Sequence, residues 1–112
     1  RDAENIRQAD AVILVGSCSS VMSLNCGYCG YPTCVAKNEH PDVPCAINMT
    51  DLGIAIGSMT AKAADLRVDS RVMFSVGFAA RRIGLLTDCH AVYAIPLSAS
   101  SKNPFFDRPS TR

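Results

Sequence analysis

The chain has 112 residues, of which 48% are hydrophobic and 19% charged, a balance that excludes long disorder and supports one domain over residues 1–112 with a modest core. Eleven Lys and Arg against ten Asp and Glu leave a net charge of +1, so no global field draws in nucleic acid or an acidic membrane surface. With no Trp, three Tyr and four Phe, there is little material for a base-stacking platform. The chain starts at Arg1 rather than Met, and the expectation is a piece of something longer.

In chain order, Asp2–Ala9 is expected to form a short helix capped by Asp2. Ala11-Val-Ile-Leu-Val15 is a continuous apolar run closed by Gly16, which predicts a buried strand. Residues 17–25 then lead into a cysteine-rich loop over 26–45. From Cys45 to Leu66 the period becomes helical, with Met49, Leu52, Ile56, Met59, Ala63 and Leu66 on one face. Asp51, Lys62 and Asp65 interrupt the apolar content, so this is no membrane span. A second stripe on the same helix is small: Ala46, Thr50, Gly53, Gly57, Thr60 or Ala61, and Ala64. Glycine inside a helix costs about 1 kcal/mol relative to alanine. The pair therefore predicts close approach by another helix or the sheet, with a flat cofactor or the partner of a homodimer as the alternative. Asp69-Ser70 is expected to cap a second helix over 71–83, with Val72, Val76, Ala79 or Ala80, and Ile83 inward and Gly84 after its end. Ala91–Ile95 predicts a second strand, and Pro96 places it near an edge or near its end. The Ser98–Arg108 segment reads as a ligand-gripping loop or as a tail pinned by Phe105 and Phe106. The fold class is therefore α/β (α+β): a small sheet, two central helices packed on it, and the cysteine loop.

Six cysteines stand at positions 18, 26, 29, 34, 45 and 89. Cys18 and Cys89 flank apolar runs and read as small core hydrophobes. The other four give Cys26-Gly27-Tyr28-Cys29-Gly30-Tyr31-Pro32-Thr33-Cys34, then Cys45. Cysteines two residues apart can turn their sulfurs to a common point, and Gly27 and Gly30 let the backbone close the turn. A thiolate at Cys45, on a helix start opened by Pro44, meets the positive end of the helix dipole. Four thiolates suit Zn²⁺ or an iron–sulfur cluster equally well. Spacing alone leaves the two open, and Cys26, Cys29, His40 and Cys45 make a rival zinc set. No phosphate loop, nucleophile elbow or other catalytic constellation is present, and His90 reads as a core or strand-edge residue.

The Cys26–Cys34 run resembles the small four-iron four-sulfur module of electron-transfer subunits and corrinoid-linked proteins of anaerobes. The segment from Asp51-Leu-Gly-Ile-Ala-Ile-Gly-Ser to Asn103-Pro-Phe-Phe-Asp-Arg108 resembles uncharacterised bacterial and archaeal proteins containing a ferredoxin domain, and the likeness extends from Arg1 to Arg108. It implies that Cys26, Cys29, Cys34 and Cys45 ligate a [4Fe–4S] cluster. The expected function is one-electron transfer with a redox partner protein, in the reducing cytoplasm that four thiolates require. Two alternatives stand beside it. One is a structural zinc site in an interaction module; the other is an oxidoreductase component in which the cluster feeds a flavin.

Overall fold

A computed structural model describes residues 1–18 and 21–107. Ser19 and Ser20 of the expected connector, and Arg108 at the end of the expected tail loop, lie outside the described residues. The elements run α1 (Asp2–Gln8), β1 (Ala11–Ser17), α2 (Cys34–Asn38), α3 (Ala46–Asp65), β2 (Asp69–Ser70), α4 (Phe74–Arg82) and β3 (Ala91–Ser98). This is the expected α+β class, with two main helices on a small sheet. The sheet is antiparallel throughout, in the order β1-β3-β2.

The strand roles are the reverse of those expected from the sequence. β3 is the central strand, with Val92, Ala94 and Ile95 almost fully buried. It continues through Pro96, which pairs with Val12 on one side. On the other side Pro96 falls between the β2 pairing at Leu97 and the isolated Met73–Ala94 bridge, where its missing N–H interrupts nothing. β1 is an edge strand, extending past Gly16 to Ser17, with Val12 and Ile13 exposed. Its apolar run reflects one covered face rather than burial on both.

α3 matches its expected span within a residue at each end. Leu52 and Ala63 of the predicted stripe are buried, while Leu66 lies past the helix and is exposed. The small-residue stripe differs: a Cβ placed on Gly53 or Gly57 would have nothing within 4 Å. No described residue closes on that face. The helix's C-terminal half leans on the sheet, where Met59, Ala63 and Leu66 share a cavity with Ile13, Ile95 and Leu97. Its N-terminal end belongs to the cysteine loop. The radius of gyration is 16.7 Å, above the roughly 13 Å of a compact domain this size, because α3 bridges two regions instead of lying wholly on one.

Asp69-Ser70 does not cap a helix. It forms β2 against Ser98 and Leu97, and α4 begins only at Phe74. The inward face is Met73, Gly77 and Ala80, while Val72 and Ile83 are exposed. Gly77 is where α4 meets β3, since a Cβ there would collide with the Val92 carbonyl group. The helix ends as expected at Gly84, at φ 94°. Gly84 N–H donates to Arg81 O and Leu85 N–H to Ala80 O, closing the last turn.

Asp2 is not a cap; Arg1 holds that position. The Asp2 carboxylate instead accepts from Arg71 at 2.9 Å and from Ser75, tying α1 to α4. Buried Asn5 donates to the Phe105 carbonyl at 2.9 Å. Phe105 is fully buried and Phe106 exposed, so one ring does the pinning; a phenyl group buried this way contributes about 1.5–3 kcal/mol. Several polar side chains of the tail are satisfied locally, by one another and by nearby backbone. Ser98 meets Ser100, Ser100 donates to the Lys102 carbonyl, and Asn103 accepts from Phe105 N–H.

Candidate metal centre

The loop between β1 and α3 carries the four cysteines on unusual backbone. Ser23 and Asn25 take positive φ as non-glycine residues, and Gly27 and Gly30 take it at 73° and 96°. Four left-handed residues in eight positions curl the chain instead of extending it. Thr33 then caps α2 by accepting from Ala36 N–H at 3.1 Å, which fixes Cys34 as its first residue. Asn25 clamps that turn in both directions. Its side-chain oxygen accepts from Cys34 N–H at 2.8 Å, and its own N–H donates to Cys34 Sγ at 3.4 Å.

Cys45 sits where expected, as the N-terminal boundary of α3. The N–H groups of Asn48, first, and of Met22 and Ile47 favour its thiolate, and the Lys37 charge adds to them. Burial acts the other way, and the net effect holds the thiol below its ordinary value.

Cys26, Cys29, Cys34 and Cys45 are all free and all line one cavity, together with Asn25, Gly27, Thr33 and Lys37. Exposure is graded across the set, from exposed Cys26 through half-buried Cys29 and Cys34 to buried Cys45. His40 of the rival zinc set is not on that cavity. It is exposed and stacks on Tyr31, ring centroids 5.0 Å apart. As a donor set the four cysteines fit a metal or an iron–sulfur cluster. Soft sulfur ligands converge on one space, and N–H donors accompany two of the four.

Cys18 and Cys89 behave differently from the core thiols expected of them. Cys89 is buried, but Cys18 is exposed, and the two are disulfide-bonded. The β1–β3 register accounts for their nearness: Ser17 opposite Ala91 sets Cys18 level with His90, one residue from Cys89. His90 has a strand-edge role: its N–H donates to Ser17 O and its carbonyl accepts from Arg81.

Two contributors to the site escaped the sequence reading. Asn25 carried a weak signal, as a residue tolerant of left-handed backbone just ahead of Cys26. Lys37 carried none, because a five-residue helix is too short for periodicity.

Comparisons with known proteins bear on this centre. Residues 41–108 match the family described as uncharacterised protein containing a ferredoxin domain (DUF2148). That span includes Cys45 and begins after Cys26, Cys29 and Cys34. An uncharacterised protein of Archaeoglobus fulgidus is 40% identical over 116 residues, covering 96% of this chain and 62% of the relative. The chain thus spans less than two thirds of that relative's length. No solved structure matches. No helix among the described residues is long and apolar enough to cross a membrane.

Proposed function

We propose a function from a plain premise: the chain belongs to the family of uncharacterised proteins containing a ferredoxin domain. On our reading, Cys26, Cys29, Cys34 and Cys45 hold one [4Fe–4S] cluster, and the protein passes single electrons to and from a redox partner protein. Bound there, such a cluster supplies reversible one-electron chemistry at a potential set by its surroundings. The residues of this chain do the rest. Four thiolates hold the irons and leave no open position for a substrate. Asn25 fixes Cys34, and the first turn of α3 stabilises negative charge at Cys45.

The observation that carries this reading is the convergence of four free cysteines on one cavity. The family match favours the cluster over zinc: four sulfur donors suit both, and the family is described by a ferredoxin domain.

Exposed Cys26 offers an edge for electron transfer. Leu24, Tyr28 and Val35 on the same loop are 61%, 76% and 75% exposed, apolar surface that a docking partner can cover. The proposed setting is a reducing cytoplasm, where the four thiols persist. There, exposed Cys18 leaves the Cys18–Cys89 bond open to reduction without touching the ligand set.

Anaerobically purified protein tests this directly. Broad visible absorption that bleaches with dithionite, and is lost in Cys45→Ser, is the expected result. A colourless protein, or unchanged absorption in Cys45→Ser, contradicts the fourfold ligation.

A further inference from the structure

Lys37 is 4% exposed, the one charged side chain in the buried class among the described residues. It lies in the last turn of α2, three positions after Cys34, and residues so spaced share a helix face. Both line the cavity that Cys26, Cys29 and Cys45 complete, and Lys37 is the charged side chain in that lining. None of the three ion pairs among the described residues involves it. A lysine buried to this degree is rare, and its ammonium is favoured by an opposite charge nearby. The cysteines that share its cavity are the groups placed to supply that charge.

We infer that Lys37 is the built-in counter-charge of the four-cysteine centre and holds its reduction potential up. The inference rests on the cluster reading above. Reduction adds one negative charge to a centre that is already anionic. A fixed cation beside it stabilises the reduced state more than the oxidised one, and burial limits the screening of that attraction. Lys37 is a positioning charge here, not a ligand. The competing role is packing alone, with the aliphatic stem filling space between α2 and the loop.

The test is a redox titration of Lys37→Gln and Lys37→Arg beside the wild type, each first assayed for iron and sulfide. Wild-type protein without iron removes the cluster reading itself, and is recognised before either variant is read. With iron present, Lys37→Gln is expected to keep its cluster and shift the reduction equilibrium at least tenfold toward the oxidised form. That corresponds to a potential lower by about 59 mV for a one-electron couple. Lys37→Arg, which keeps the charge, stays near wild type. Loss of iron in Lys37→Gln but not in Lys37→Arg also supports a charge requirement. An unchanged potential in iron-loaded Lys37→Gln overturns the inference. So does equal loss of iron in both variants, which would mark Lys37 as packing.

Discussion

Glycine is used for opposite reasons at the two ends of this molecule. Where α4 crosses β3, Gly77 is required by lack of space, because any Cβ would strike the Val92 backbone. In the cysteine loop, Gly30 has nothing within 4 Å of a built Cβ and is required by its φ of 96° alone. The sheet and α4 are thus held by contact between surfaces. The loop is held by local backbone conformation and by the Asn25 clamp. The four cysteines line one cavity in the second region, and α3 joins the two, its far end on the sheet and its first turn at Cys45.

The largest effect that can break this contrast is Gly77→Ala. It should cost about 3 kcal/mol or more, since helix and strand must separate, and thermal unfolding should show a large drop in midpoint. A near-normal midpoint would mean that α4 does not lie this close to β3. Gly30→Ala should cost less, about 1–2 kcal/mol of backbone strain. It should appear as reduced metal retention, with the body's unfolding midpoint near wild type. A fall in body stability instead would show that the two regions are not independent.

Gly57→Ala sharpens the comparison from the third side. With open space around Gly57, alanine should stabilise α3 by up to about 1 kcal/mol, measured by urea unfolding. Destabilisation would show that a second copy or another segment closes on this face.

The smallest effect is at Asp2, whose carboxyl is held below its ordinary 3.8 by the Ser75 hydroxyl first, and by the Arg71 hydrogen bond and charge, against burial. A carboxylate with a lowered folded-state pKa stabilises the fold above its unfolded value. That stability is lost as pH falls from 3.8 through the lower folded-state value. The pair is partly exposed and its contribution is under about 1 kcal/mol. Asp2→Asn should therefore lower neutral stability by under about 1 kcal/mol, leave stability at low pH unchanged, and so flatten the acid limb of a stability–pH curve by the same small amount.

The features legible in the sequence were those with long or chemically singular signals. Twenty residues of helical period placed α3, and the left-handed end of α4 was marked by Gly84. The spacing of Cys26, Cys29, Cys34 and Cys45 named four residues that share one cavity. What was not legible depended on partners distant in the chain. β1 read as buried because an apolar run does not reveal how many faces are covered. Asp69-Ser70 read as a cap because a two-residue strand has no pattern of its own, only a partner in β3. Gly53 and Gly57 predicted a neighbour that no described residue supplies. Cys18 and Cys89 looked alike in composition, and only the β1–β3 register brings them together.

The central claim is that the four cysteines of the loop hold an iron–sulfur cluster. Its most direct test is iron, zinc and acid-labile sulfide per chain on protein purified without oxygen. The account predicts about four irons and about four sulfides, with zinc near zero. One zinc per chain and no sulfide would contradict it and leave the same four cysteines as a structural clamp.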